Sequence, residues 1–230
     1  MGLKAYQIVN LNNPISVKYH KHSLKSFEVV KDIIEIEPIQ CYTPDTLPTD
    51  YVYKEKDSRT LYEQACFASH FHLVNRLKKG EKFIIMEHDA YLWPERINAF
   101  YELMGQKEMY SAFYLGISNE FYTLDKSVAS LYVEKVVEGK LSGGPMTTAL
   151  QCVNQYNKRH PGLCLWPVTG QKNLISSSTN ASNSANGIGR IFDAPVTQHF
   201  MMEYGSTIIE RANRWKFTPD KNPDMYFTYE

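Results

Sequence analysis

Apolar residues in the first half of the chain come in short runs separated by amphipathic stretches. The run "KAYQIVNLNNP" reads as a strand closed by the turn cluster Asn12-Asn13-Pro14. A helical stretch over Ser16 to Val29 follows, then a second β-like run, "DIIEIEPIQCY". Pro44, Pro48 and the charged "YKEKDSRT" mark a loop. The strongest helical pattern spans Leu61 to Lys79 and stops at Gly80. Its inward stripe is Tyr62, Cys66, Ser69 or His70, Leu73 and Leu77, at three-to-four spacing. The strand "KFIIMEHDA" comes directly after it, Pro94 opens a helix through Met104, and "SAFYLGI" is a further strand. This β-α-β-α-β alternation predicts an α/β sandwich with a mainly parallel sheet.

The second half is less regular. "LSGGPMTTALQCVNQYNKRH" reads as a Gly-rich turn entering a helix, and "GLCLWPV" as another strand. Residues 173–189, "NLISSSTNASNSANGIG", hold almost no large apolar side chain and cannot bury themselves. They form either a flexible loop over a site or a surface excursion. The tail "ERANRWKFTPDKNPDMYFTYE" mixes basic and aromatic residues. That mixture suits either a nucleic-acid strand or a C-terminal helix with an aromatic flap docked on the domain.

Composition changes this picture only modestly. A chain of 230 residues is expected to form one domain with a full core. Lys plus Arg and Asp plus Glu balance at 25 each, which argues against a strongly basic nucleic-acid binder. No secretory leader and no bilayer-spanning run are expected, so the expected compartment is the cytoplasm. Cys41, Cys66, Cys152 and Cys164 show no CxxC spacing and read as reduced thiols.

The chemistry concentrates at the end of one strand. Phe83-Ile84-Ile85-Met86 is a buried body, and Glu87-His88-Asp89 is its rim. In open α/β sheets ligands sit outside the carboxyl ends of strands. Strand alternation predicts that Glu87 and Asp89 share one side and His88 faces the other. Two carboxylates so placed can hold a hard divalent cation or a ribose hydroxyl, although an acidic strand end facing water has the same pattern. A metal there would stabilise charge on a leaving diphosphate. No GxxxxGK[ST] is present, which removes a Walker-type ATPase.

Three blocks occur in order: Val9-Asn10-Leu11-Asn12, "EQACFASH" over Glu63 to His70, and "MEHD" over Met86 to Asp89. Together they resemble the family 25 glycosyltransferases, which include lipooligosaccharide and collagen galactosyltransferases, with a phage member as one form. "IEPIQCYTP" resembles the second strand of that family, and "APVTQH" and "GSTI" its last core segments. The chain departs from it at His88, which replaces a middle acid, and at "WPVTGQ", which lacks the acid of a Pro-x-Asp.

The resemblance implies a GT-A-type, Rossmann-like fold over residues 1–230. Residues 1–105 would be the nucleotide-sugar half and residues 106–230 the acceptor half, with the flexible loop at 173–189. It implies Mn²⁺ or Mg²⁺ held by Asp89 and Glu87, with His199 as third ligand, and Asn10, Asn12, Ser69 and His70 on the donor side. The implied activity is transfer of a hexosyl or pentosyl group from a nucleotide diphosphate donor, a UDP-sugar first, with inversion. The acceptor hydroxyl would belong either to a glycan or to a hydroxymethylated base in phage DNA. For the base that deprotonates it, Glu120, Asp193 and Glu203 are available, and Glu120, after "YLGISN", is preferred. Gly143-Gly144 would allow close backbone approach to a ligand or simply form a turn. Competing expectations are a non-catalytic nucleotide-sugar or carbohydrate-binding domain, and a nucleotidyltransferase.

Overall fold

The computed structural model describes residues 2–48, 60–116, 119–138, 163–165, 169–171, 215–217 and 227–229. In chain order these form β1 (Leu3–Val9), α1 (Pro14–Phe27), β2 (Ile34–Gln40), α2 (Leu61–Lys78), β3 (Ile84–Glu87), β4 (Ala90–Leu92) and α3 (Ile97–Gln106). Then follow β5 (Ala112–Tyr114), β6 (Phe121–Leu124), α4 (Lys126–Val137), β7 (Leu163–Leu165), β8 (Thr169–Gln171), β9 (Trp215–Phe217) and β10 (Phe227–Tyr229). The main sheet has strand order β2-β1-β3-β6-β5-β7. β1 pairs in parallel with β2 and β3, and β5 pairs in parallel with β7. β6 runs antiparallel to both β3 and β5, so it alone is reversed within this sheet. The mixed α/β architecture is the one expected. The reversed strand qualifies the expected parallel sheet.

Period-two alternation sorts the strand side chains onto two cores. Ile8, Ile85, Tyr114, Tyr122 and Leu124 point into a cluster with Phe67, Leu73 and Leu77 of α2 and Val128, Tyr132 and Val136 of α4. Ala5, Ile84, Met86, Phe113 and Phe121 point the other way, onto Phe27 of α1 and Phe100 and Leu103 of α3. Each fully buried Phe or Leu contributes about 1.5–3 kcal/mol of transfer free energy. Together the two clusters hold the sheet between helical layers.

Several local expectations are corrected. α1 begins at Pro14 rather than Ser16, because Asn13 is its cap. The Asn13 side chain accepts from the amides of Ile15 and Ser16, with Pro14 in the first turn. α2 starts on a capping box: Thr60 accepts from the Glu63 amide, and the Glu63 carboxylate accepts from the Thr60 amide. It ends just before Gly80, whose φ of 98° is the left-handed conformation that glycine tolerates. Tyr62, expected on the inward stripe of α2, is 58% exposed, while Ser69, His70, Leu73 and Leu77 are buried. "KFIIMEHDA" is not one strand. β3 stops at Glu87, the chain turns at His88-Asp89, and β4 pairs antiparallel with β8 in a separate two-stranded sheet. β6 and α4 are additional to the elements read from the sequence. α4 packs on α2 and starts at Asp125, whose carboxylate accepts from the Val128 amide.

Candidate functional site

A cleft of about 940 Å³ opens at the carboxyl ends of the first three parallel strands. Asn10, Asn12 and Asn13 follow β1, Cys41 to Thr46 follow β2, and Glu87, His88 and Asp89 follow β3. The remaining wall comes from α1, through Ser16 and Tyr19, and from α2, through Tyr62, Cys66 and His70. Its size suits a drug- or nucleotide-sized ligand, and its position is the one at which open α/β sheets bind ligands.

Glu87 ends β3 opposite Ile8, on the face that α2 covers. There His70 Nε2 lies 3.0 Å from Glu87 Oε1, and His70 Nδ1 lies 3.0 Å from the Tyr122 hydroxyl. The Tyr122 ring stacks on His70 on one side and on Tyr114 on the other, with centroid separations of 5.8 and 5.0 Å. The imidazole is therefore fixed at both nitrogens and on one ring face. Cys66, one helical turn before His70, brings Sγ into the same group. One ligand atom each from Cys66, His70 and Glu87 lie within 4.8 Å of one another. Burial, then the charges of Glu87 and other nearby acids, pushes the Cys66 thiol up, so without a cation it stays protonated.

Asp89 sits in the turn beyond β3. Its Oδ1 is shut off from solvent and has no hydrogen-bond partner. Burial first, then the charges of Glu87 and Glu120, raises its carboxyl well above the usual carboxylate range. Glu120 is fully buried in the turn before β6, and its backbone carbonyl accepts from the Glu87 amide at 3.0 Å. It lies between β5 and β6, after one strand as expected and directly before another, and it is not among the described residues that line the cleft.

The other predicted residues fall into three groups. Asn10 and Asn12 are at the rim, but the Asn10 side chain accepts from the Asn12 amide at 3.2 Å and takes part in the turn. Ser69 is buried away from the cleft wall. It donates to the Ala65 carbonyl at 2.9 Å and accepts from the Tyr42 amide at 2.9 Å, which ties α2 to the loop after β2. His199, Asp193, Glu203, Gly143-Gly144 and residues 173–189 lie outside the described residues. His88 does not face away from its neighbours as alternation predicted. The strand ends before it, so it lines the same cleft, edge-on to Tyr19 at 5.5 Å. Burial lowers its pKa.

Cys66 and Tyr122 were missed as members of the group. Cys66 and His70 stand at i and i+4 on one helix, a spacing that could have paired them. Tyr122 carried no such signal, because it arrives from a strand 52 residues away.

Among the described residues, no Lys or Arg lines the cleft, whereas Asp45, Glu87 and Asp89 do. Apart from His70 and His88, the charge-bearing side chains that an anionic ligand meets among the described lining are acidic. The α1 N-terminus does not offset this with a bare anion site, since Asn13 already takes its first amides. No described helix is long and apolar enough to cross a membrane.

No family model matches the chain, and no curated protein matches it. Among solved structures, one similar chain is the crystal structure of a glycosyltransferase involved in the glycosylation of the major capsid of PBCV-1. It has a TM-score of 0.39 and 11% identity, covering 73% of this chain and 82% of that one. A likeness this distant defines neither the fold family nor the activity of this chain.

Proposed function

We propose that the chain is a GT-A-type glycosyltransferase that moves a sugar from a nucleotide diphosphate donor, a UDP-sugar first, to an acceptor hydroxyl. The observation that carries this reading is the acidic cleft at the ends of β1, β2 and β3, with no Lys or Arg among its described lining. A diphosphate entering it needs a cation, and the partnerless Asp89 Oδ1 beside Glu87 is an oxygen site of the kind a divalent ion takes. Asp89 and Glu87 would hold such an ion, which when bound supplies charge stabilisation to the departing diphosphate. The block resemblance to family 25 glycosyltransferases supports the same assignment.

Within this reading the chain's own residues position the donor. Asn10, Asn12 and the loop after β2 border the nucleoside side, with Tyr42 and Tyr62 offering ring faces. His70, fixed by Tyr122, orients Glu87. The acceptor is a glycan hydroxyl or the hydroxymethyl group of a modified DNA base, and inversion by direct displacement is the proposed course.

The enclosure of Glu120 favours a second reading, a nucleotide-sugar-binding domain without chemistry. UDP release from a panel of UDP-sugars with Mn²⁺, against glycan and hydroxymethylcytosine-DNA acceptors, separates the two. Turnover with either acceptor supports the enzyme. Donor binding with neither hydrolysis nor transfer supports the binding domain and removes the enzyme reading.

A further inference from the structure

The expected ligand set for a hard ion is Asp89, Glu87 and a late histidine. The described residues bring together a different set. Cys66 Sγ, His70 Nε2 and a Glu87 carboxylate oxygen converge at the cleft wall, within 4.8 Å of one another. Two are on one face of α2, a turn apart, and the third ends β3, so the cluster joins two rigid elements.

The surroundings are those of a ligand shell. A metal-bound imidazole normally has its second nitrogen held by an outer partner that fixes the ring. Tyr122 does this at 3.0 Å from Nδ1, from a fully buried position. Its hydroxyl can donate or accept, so it serves either tautomer of the ring. Asp89 adds an independent sign: a carboxylate oxygen closed off from solvent, without a partner, and on the same cleft. Cys66 and Glu87 both reach the cleft surface, which leaves a coordination position open on that side.

We propose that Cys66, His70 and Glu87 form a binding site for a thiophilic divalent metal, Zn²⁺ in first place, with its open position facing the cleft. A thiolate, imidazole and carboxylate set selects zinc, cobalt or ferrous iron over Mg²⁺, which prefers oxygen ligands alone. On binding, the Cys66 thiol proton leaves to solvent. The imidazole proton moves from Nε2, now a ligand, to Nδ1, where it is donated to Tyr122. Glu87 exchanges its hydrogen bond with His70 for the metal. The site shares Glu87 with the ion proposed above, and its test reads metal binding alone, so that its failure and the failure of sugar transfer are distinguished.

The test is Co²⁺ titration of the chelator-stripped protein, followed by optical absorption. Wild type is expected to develop a thiolate-to-cobalt charge-transfer band in the near ultraviolet that Zn²⁺ abolishes and equimolar Mg²⁺ does not. Cys41→Ser should keep the band and Cys66→Ser should lose it. His70→Gln should weaken Zn²⁺ binding by about tenfold or more, as loss of a ligand or its support does. Absence of the band in wild type, or its survival in Cys66→Ser, overturns the site. If Cys66→Ser fails to fold by circular dichroism, zinc-edge X-ray absorption of wild type decides. One sulfur among the nearest neighbours supports the proposal, and nitrogen and oxygen alone refute it.

Discussion

Gly116 and Glu120 are packed so closely that the glycine has no room for a side chain. A Cβ at Gly116 would lie 2.5 Å from both Cδ and Oε1 of Glu120. The glycine is needed for space, since its backbone is not in the left-handed region. Glu120 is fully buried and cannot swing out to water. Gly116→Ala is therefore expected to cost about 1–3 kcal/mol by overpacking. In a Glu120→Ala background most of that cost should disappear. Urea denaturation of the double-mutant cycle checks it, and additive costs would show that the close contact does not matter.

Asp89→Asn should separate stability from function. The substitution removes a carboxyl whose charge is opposed by burial and by Glu87 and Glu120. Stability is expected to hold or rise slightly, since the amide carries no charge to be opposed while the buried oxygen stays in place. Metal-dependent transfer with UDP-sugars should be lost. Near-normal turnover in a folded Asp89→Asn protein would take Asp89 out of the mechanism.

Tyr122→Phe removes the hydroxyl that holds His70 Nδ1 while keeping the ring stack with Tyr114. The fold should lose about 1 kcal/mol. Zinc affinity should fall by about tenfold through the loosened imidazole. Calorimetric titration against the wild-type protein reads the second effect, and unchanged affinity would confine Tyr122 to packing.

A pH dependence of stability follows from the far side of the sheet. The Gln7 amide donates to Ser23 Oγ at 2.8 Å and to the Glu87 carbonyl at 2.9 Å. Its oxygen is left to accept from His20 Nδ1 at 2.6 Å, which places a proton on Nδ1. Burial, then Lys21, lowers the His20 pKa from 6.5; burial, then Arg76 and Lys79, does the same to His72. A lowered folded-state pKa means the unfolded chain binds more protons as pH falls through 6.5. The contribution of these two histidines should therefore decline from about pH 7 to about pH 5, with His88 acting in the same direction and the raised carboxyl of Asp89 in the opposite one. Urea midpoints of wild type and of His20→Gln with His72→Gln check it: the variant should lose less stability, or gain more, on acidification, and parallel profiles would remove the two histidines from the effect.

The sequence carried the first five elements of the fold because each is marked locally. Asn13-Pro14, Thr60 with Glu63, and Gly80 punctuate the helices, and the turn cluster Asn12-Asn13-Pro14 closes the first strand region. The site was legible where its residues are near neighbours, as in Glu87-His88-Asp89. It failed where a distant pairing decides the backbone. The break after Glu87 depends on β4 joining β8, some eighty residues on, and no local turn residue announces it. β6 and α4 are a different failure. Asp125 before Val128, Ala129, Leu131 and Tyr132 is a readable cap and stripe, but the short apolar run Phe121–Leu124 merges visually with "SAFYLGI". Glu120 was consequently read as following one strand, without the second strand that begins directly after it.

Because β6 opposes its neighbours, it begins at the edge of the sheet where they finish. The Cys66, His70 and Glu87 group and its support thereby come from two stretches of chain that meet only in the completed sheet. Residues 61–89 carry Cys66, His70, Glu87 and Asp89, while Glu120 and Tyr122 come with the β5–β6 hairpin. A fragment ending before β6 would keep every ligating side chain and lose what holds the imidazole. Occupancy of the cleft and integrity of the whole sheet are then thermodynamically linked. A ligand bound there stabilises the hairpin's docking, and a mutation that loosens the hairpin weakens the ligand.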